Sequence, residues 1–235
     1  MLFRQLFDHD SWTYSYLLAD EKTREAVLID PVDIQVDNTL RLLEELQLKL
    51  VLSIETHTHA DHITGSGLLR KRTGCMTRVG AQSAASCADG TYQDGDILTV
   101  GALRLQVLYT PGHTNDSYCF VLDNENQPMV FTGDTLLIRG CGRTDFQNGN
   151  AGQQYDSLQR LLALPPHTRV YPGHDYRGWS VSSIAEEANK KSAYSPAFTR
   201  CFYHAHEQLN ARKSQIDGYC RARQSIMWKG VKSAG

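Results

Sequence analysis

The chain has 235 residues, enough for one large domain that buries about 70% of the surface its unfolded form would expose. Its 41% hydrophobic and 21% charged residues are typical of a folded globular protein and exclude a disordered or fibrous chain. The formal net charge of −2 provides no basic field of the kind that drives nonspecific binding to nucleic acid. We therefore expect no nucleic-acid partner.

The apolar runs of the sequence are short, as in 26–29 and 50–52, whereas a membrane helix needs about 18 apolar residues. We therefore expect no membrane partner. The N-terminus also differs from a signal peptide, because Arg4, Asp8 and Asp10 interrupt it with charge. A cytoplasmic location is the resulting expectation.

Hydrophobic periodicity predicts an α/β chain in which strands outnumber helices. The predicted strands cover residues 12–18, 25–29, 49–54, 76–79, 96–100, 102–110, 116–123, 129–133 and 168–171. The predicted helices cover residues 33–46, 65–73, 154–163 and 181–190. Most strand spacings permit hairpins, and helices separate several of the strands. This mixture predicts two sheets packed face to face with helices outside, a four-layer αββα sandwich.

Metal-type side chains follow the apolar strand 49–54 directly. The next eight residues, Glu-Thr-His-Thr-His-Ala-Asp-His, contain His57, His59, Asp61 and His62. Because side chains alternate along an extended chain, His57 and His59 point to the same side, and the following turn can bring the other two back. Such crowding suits a metal ion.

Three further segments place a metal-type residue just past an apolar strand. They are Pro-Gly-His-Thr with His113, Thr-Gly-Asp-Thr with Asp134, and Pro-Gly-His-Asp with His174. The neighbouring glycines allow a tight turn that brings each side chain inward. A single histidine is more often a hydrogen-bonded core residue, but five of the nine histidines fall in these four positions. The pattern therefore predicts a metal site.

These motifs, T-H-x-H-x-D-H, P-G-H-T, T-G-D-T and P-G-H-D, resemble those of the metallo-β-lactamase superfamily along residues 1–190. Within the superfamily, the longer runs 57–67, 132–146 and 171–176 are similar to those of the persulfide dioxygenases. The resemblance implies an αββα sandwich with the metal at one edge.

The resemblance also implies a cofactor and a substrate. One Fe(II) per chain would be bound by His57, His113 and Asp134, with O₂ as co-substrate and glutathione persulfide oxidised to sulfite and glutathione. Two imidazoles and one carboxylate form the facial triad of non-haem iron oxygenases, which leaves open positions for substrate and O₂. The other metal-type residues would orient the ligands or shape the open positions by hydrogen bonding; they are His59, Asp61, His62 and His174.

Glutathione carries two carboxylates, so a groove that binds it should offer cations. We expect the substrate-binding residues to lie on the loops that carry the metal motifs, and the candidates are Arg139, Arg143, Tyr176 and Arg177. As to assembly, a homodimer is left open.

Two alternatives remain. Glyoxalase II-type thioester hydrolases share the fold and would use His57, His59 and His113 on one metal, Asp61, His62 and His174 on a second, and Asp134 as the bridge. The segment 139–146 favours the dioxygenase, and the 61 residues after His174 are few for the helical substrate-binding domain that such hydrolases carry. A catalytically impaired metal-binding protein is the other alternative.

A basic segment follows the predicted catalytic domain, to which we assign residues 1–190. Residues 191–235 contain eight Lys and Arg residues against two acidic ones. The family's closing Val-Pro-Ala-Asn segment is missing here, whereas suitable codons for 210–228 would yield it when read one nucleotide later. We therefore hypothesise that 191–235 is an atypical tail from a shifted reading frame, with few contacts to the sandwich.

Overall fold

The computed structural model describes residues 1–124, 127–146 and 148–189, so the predicted tail 191–235 lies outside the described residues. The strands are β1 (Leu2–Asp8), β2 (Thr13–Ala19), β3 (Glu25–Ile29), β4 (Lys49–Ile54), β5 (Met76–Gly80), β6 (Gly90–Tyr92), β7 (Ile97–Val100), β8 (Leu103–Tyr109), β9 (Tyr118–Leu122), β10 (Met129–Gly133), β11 (Arg169–Pro172) and β12 (Ser182–Ser183). The helices are α1 (Val36–Glu45), α2 (Ser66–Thr73), α3 (Ala151–Leu162) and α4 (Ile184–Ala188), with a 3₁₀ turn (Asp33–Gln35) before α1.

The strands form two six-stranded sheets, in the orders β1-β2-β3-β4-β5-β6 and β12-β11-β10-β9-β8-β7. In the first sheet β3, β4, β5 and β6 pair in parallel, so they end at the same edge. In the second sheet β8 and β10 both pair antiparallel with β9, and β10 pairs in parallel with β11. The chain therefore leaves β8, β10 and β11 at one common edge.

Apolar side chains form three core layers, which confirms the predicted αββα sandwich. The central layer lies between the sheets and includes Phe120 and Phe131. A second layer packs α1 and α2 on the first sheet through Leu43 and Leu69. A third packs α3 and α4 on the second sheet, with Leu158 at its centre. Inner strands such as β2, β9 and β10 are buried along their whole length because both sheet faces are covered.

Phe131 shows how the core holds the strands that carry the metal motifs. It is fully buried on β10, and its ring centroid lies 5.0 Å from that of Tyr16 and 5.5 Å from that of Tyr171. Truncating such a residue to alanine leaves a cavity and costs about 3–5 kcal/mol. The strand that leads into Asp134 is thus fixed by packing between the two sheets.

Local hydrogen bonds explain where the helices begin and end. The Asn150 side chain caps α3 by accepting from the backbone N–H groups of Gly152 at 2.9 Å and Gln153 at 3.1 Å. The helix therefore begins at Ala151, earlier than the predicted 154. Helix α2 ends at Thr73, and the capping residue Gly74 has a φ of 73°, which lies in the left-handed region that favours glycine.

Three strands were not predicted. In β1 the polar Arg4 and Gln5 interrupt the apolar pattern, and the strand forms because it pairs along its whole length with β2. Strands β6 and β12 are too short to show a period, and β12 occupies the start of the predicted helix 181–190.

None of the helices in the described part of the chain combines the length and the hydropathy that a bilayer span requires.

Candidate metal centre

The structure brings the three predicted iron ligands together at one edge of the sandwich. His57 follows β4, His113 follows β8 and Asp134 follows β10. Each offers one ligand atom, and the three atoms lie within 4.8 Å of one another. A backbone hydrogen bond of 2.7 Å from Tyr118 N–H to the carbonyl oxygen of Thr56 links the two sheets beside this group. We call these three residues the triad.

His113 is held with one ring nitrogen facing the triad. Its Nδ1 donates to the backbone carbonyl oxygen of Arg143 at 2.7 Å. Its Nε2 lies 3.6 Å from Oδ2 of Asp134. Because the carbonyl oxygen can only accept, the proton of a neutral His113 ring sits on Nδ1 and the Nε2 lone pair faces the carboxylate. This separation of Nε2 and Oδ2 is compatible with a single ion that lies about 2.1 Å from each atom.

His57 is buried and uncharged at neutral pH. Burial first, and the nearby His59 second, lower the pKa of His57 to about 3. Its ring centroid lies 5.0 Å from that of His113, with an angle of 81° between the rings. A metal binds the neutral imidazole, so this environment keeps His57 in the form that can act as a ligand.

Asp134 is paired with His174 rather than left as a lone buried charge. His174 Nδ1 donates to Asp134 Oδ1 at 2.6 Å. Burial raises the pKa of Asp134, but His174 first, and then His57 and His113, together hold the pKa well below its usual range. Burial in turn lowers the pKa of His174, whereas Asp134 and Asp61 together raise it to about 10. The triad carboxylate is therefore ionised.

The four other predicted metal-site residues also gather at this edge, and we call them the four-residue cluster; they are His59, Asp61, His62 and His174. His174 Nε2 lies 3.0 Å from Asp61 Oδ2, and His62 Nδ1 lies 2.9 Å from the same oxygen. Both ring nitrogens of His59 and the Nε2 of His62 are buried without a hydrogen-bond partner. The cluster is therefore a further group of described residues that could bind an ion, as is the group formed by Asp30, Glu55 and His59.

Two buried acids next to the triad were missed from the sequence. Asp30 is fully buried, and its Oδ1 lies 3.2 Å from His59 Nε2. Glu55 lies beside it, and burial first and Asp30 second raise the pKa of Glu55 to about 7. Asp30 directly follows β3, whose end meets that of β4 because the two strands are parallel. The rule that predicted His57, a polar residue just past an apolar strand, would have found Asp30 as well.

Gly133 is required at the turn that presents Asp134. Its φ is +49°, and a Cβ at this position would lie 2.5 Å from Oγ1 of Thr56. Any side chain here would meet both backbone strain and the residue that precedes His57. The Thr-Gly-Asp-Thr motif thus contains glycine because two loops of the site touch at that point.

Arg139, one of the expected substrate-binding residues, is paired with two glutamates. Its guanidinium forms an ion pair of 2.8 Å with Glu186 and a second ion pair with the buried Glu187, and its side chain is only 17% exposed. The backbone N–H of Arg139 also donates to Glu187 at 3.0 Å. This arginine therefore attaches α4 to the loop after β10, and its charge is not free for a substrate carboxylate.

The other expected substrate residues are exposed. Arg143 has a side chain that is 67% exposed and pairs with Asp145 at 2.8 Å, while Arg177 stacks over the ring of Trp179 at 5.2 Å. Tyr176 lies parallel to the His174 ring, with 6.1 Å between centroids and 3° between planes. These side chains border the site and remain accessible from solvent.

The comparisons with known proteins agree with this geometry. A family model of the metallo-beta-lactamase superfamily matches residues 13–174. A probable hydroxyacylglutathione hydrolase of Schizosaccharomyces pombe is 38% identical over 182 residues, which cover 76% of this chain and 70% of that protein. The fold and the edge site thus define a metallo-β-lactamase-type protein.

Two further similarities are stronger. The mitochondrial persulfide dioxygenase ETHE1 of Bos taurus is 48% identical over 189 residues, covering 80% of this chain and 73% of that protein. The crystal structure of ETHE1 from Myxococcus xanthus is 53% identical with a TM-score of 0.80, covering 89% of this chain and 92% of that one. The chain belongs to the persulfide dioxygenase family of the metallo-β-lactamase superfamily.

Proposed function

We propose that the protein oxidises glutathione persulfide with O₂ to sulfite and glutathione at a single Fe(II) ion. The observation that carries the proposal is the triad at the sheet edge in a chain 48% identical to a named persulfide dioxygenase. In the overall reaction glutathione persulfide, O₂ and water become glutathione and sulfurous acid, so the terminal sulfur is oxidised and O₂ is reduced.

The triad suits Fe(II) by its chemistry and by its electrostatics. It offers two imidazoles and one carboxylate from three separate loops, the donor set of non-haem iron oxygenases. We assign His57, His113 and Asp134 as the ligands. An Fe(II) ion held there would supply the electrons that make O₂ reactive toward sulfur.

The surrounding residues orient the ligands. The Arg143 carbonyl oxygen fixes the ring of His113, and His174 holds the carboxylate of Asp134. Partners of this kind are typically worth 10–100-fold in metal affinity or activity. We therefore assign His174, together with the residues that contact it, to the support of Asp134.

Substrate binding is assigned to Arg143, Arg177 and Tyr176. The pair of Arg143 with Asp145 is exposed to solvent and therefore weak, so a substrate carboxylate can replace Asp145 at little cost. Tyr176 offers a flat aromatic face beside His174, which suits the peptide-like body of glutathione. Arg139 is left out of this set because two glutamates occupy it.

The test combines metal analysis after anaerobic purification with two activity assays on the same preparation. We expect one iron per chain, O₂ uptake with glutathione persulfide in an oxygen electrode, and little hydrolysis of S-lactoylglutathione. Rapid thioester cleavage without O₂ uptake would overturn the proposal.

A second candidate function, a dinuclear thioester hydrolase, is favoured by one specific observation. The four-residue cluster holds buried ring nitrogens on His59 and His62 that lack a well-aligned hydrogen bond, and these could bind a second ion. Two bound metals with Asp134 between them would support it. The hydroxyacylglutathione hydrolase relative is less similar, at 38% identity, and the dioxygenase is therefore preferred.

Location and assembly remain predictions. The Bos taurus relative is named as mitochondrial, whereas the sequence alone led to a cytoplasmic expectation. Fractionation of cells that express the full chain separates these outcomes. Sedimentation analysis of the purified protein likewise decides whether a homodimer forms.

A further inference from the structure

Asp30 occupies a costly position directly behind the triad. It is fully buried at the end of β3, and its φ of +50° lies in the left-handed region that non-glycine residues seldom adopt. Both carboxylate oxygens are used: Oδ1 accepts from the Thr56 backbone N–H at 2.6 Å, and Oδ2 accepts from Thr56 Oγ1 at 2.8 Å. Strain and burial of this kind persist only where the surrounding structure enforces them.

Asp30, Thr56 and His57 form a chain of hydrogen bonds in which the donor at each step can be assigned. Thr56 Oγ1 also lies 2.9 Å from Nδ1 of His57. A hydroxyl has one proton, and a carboxylate only accepts, so the Thr56 proton points to Asp30. The hydroxyl oxygen then faces Nδ1 with its lone pairs, and the hydrogen bond forms only if Nδ1 carries the ring proton. The Nε2 of His57 is thereby left with its lone pair free.

We propose that Asp30 and Thr56 are positioning residues that fix the tautomer and the ring orientation of His57. The consequence for metal binding rests on the proposed function, in which the free lone pair on Nε2 binds Fe(II). The two histidines of the triad are fixed by different means. A backbone carbonyl oxygen holds Nδ1 of His113, whereas the hydrogen-bond chain from Asp30 through Thr56, which we call the relay, holds Nδ1 of His57. Only the second device can be removed by changing a side chain.

Thr56→Val tests the relay, since valine keeps the shape of threonine and removes the hydroxyl. Thr56→Ser keeps the hydroxyl and is the rescue variant. Thr58→Val is the matched control, because Thr58 flanks His57 on the other side and donates to Asp116 at 2.5 Å. Fe(II) affinity is measured anaerobically by competition with a chelator, with the unfolding midpoint of each metal-free protein as a fold check.

We expect Thr56→Val to weaken Fe(II) binding about 10–100-fold, and Thr56→Ser and Thr58→Val to stay within about threefold of the unmodified protein. Affinity that is unchanged in Thr56→Val, or lost equally in Thr56→Ser, overturns the relay. If the unmodified protein itself binds no Fe(II), the proposed function fails. The relay can still be tested in that case, because NMR of the metal-free protein reports which nitrogen of His57 carries the proton.

Asp30→Asn tests the relay by its effect on the tautomer of His57. Asparagine can accept from the Thr56 N–H and direct its amide protons at Thr56 Oγ1, which frees the hydroxyl proton to point at His57 Nδ1. The ring proton of His57 should then move to Nε2. Nitrogen-15 NMR of the metal-free proteins should report the Nδ1–H form in the unmodified protein and the Nε2–H form in Asp30→Asn. A tautomer that is the same in both proteins contradicts the proposal.

Discussion

The triad and the four-residue cluster contain the same kinds of residue a few ångströms apart, yet they differ in how the ring nitrogens are used. In the triad both histidines have Nδ1 bonded to an oxygen outside the group, so Nε2 stays available. In the four-residue cluster His174 contacts carboxylates through both nitrogens, Asp134 through Nδ1 and Asp61 through Nε2. Neither nitrogen of His174 is therefore free for an ion.

The difference teaches that proximity of metal-type residues does not define a metal site. A histidine is ready to bind a metal when a partner on its far side fixes the tautomer and the ring orientation. His57 and His113 meet this condition, whereas His59 has no hydrogen-bond partner at Nδ1, and its Nε2 lies 3.2 Å from the buried carboxylate of Asp30. One ion in the triad is thus the expected occupancy, and each prediction below tests that asymmetry.

The largest effect is expected from Asp134→Ala. It removes the only carboxylate of the triad and leaves His174 without its partner at Nδ1. Iron content by metal analysis should fall below detection. The matched control is Asp61→Ala in the four-residue cluster, which should retain most of its iron. Loss of iron from both variants to the same extent would contradict the division between the triad and the four-residue cluster.

A smaller effect is expected from His59→Ala, which separates binding from turnover. His59 faces Asp30 and Glu55 and is assigned no bond to the metal, so iron content should remain near one per chain. Turnover of glutathione persulfide should fall about 10–100-fold, because the loss of a supporting residue disturbs the site. Metal analysis and the oxygen electrode measure the two quantities separately. An iron-free His59→Ala protein would contradict the division between the two groups.

The triad was predictable from the sequence because its positions obey a simple rule. Each member comes just past an apolar strand, and strands of like direction end at one edge. The αββα layers were predictable for a related reason, since nearly continuous apolar strands imply that both sheet faces are covered. Short or polar strands such as β6 and β12 carry no such signal and form through pairing alone.

The hydrogen-bond partners could not be predicted, because they depend on contacts between distant parts of the chain. Arg139 looks like a substrate-binding cation in the sequence, and only the fold brings Glu186 and Glu187 to it. Thr56 looks like a spacer between Glu55 and His57, and only the pairing of β3 with β4 places Asp30 behind it. Sequence spacing therefore predicts which metal-type residues meet better than it predicts what orients them.

The smallest effect is expected from Arg143→Glu. This variant separates the backbone of Arg143, which contacts the triad, from its side chain, which does not. The backbone carbonyl oxygen of Arg143 holds His113, while its exposed side chain pairs with Asp145 and lies over the ring of Phe146 at 5.8 Å. Reversing the side-chain charge should leave iron content unchanged, because the backbone contact survives.

The KM for glutathione persulfide should rise roughly fivefold in Arg143→Glu, a modest effect that is typical of an exposed ion pair, with kcat nearly constant. The matched control is Arg104→Glu, the same charge change at an exposed position near the start of β8, whereas the site lies past the other end of that strand. An unchanged KM would assign Arg143 to the solvated surface, and an equal rise in both variants would indicate a general effect of net charge. A rise confined to Arg143→Glu, with iron retained, would show that substrate binding and metal binding use different atoms of the same residue.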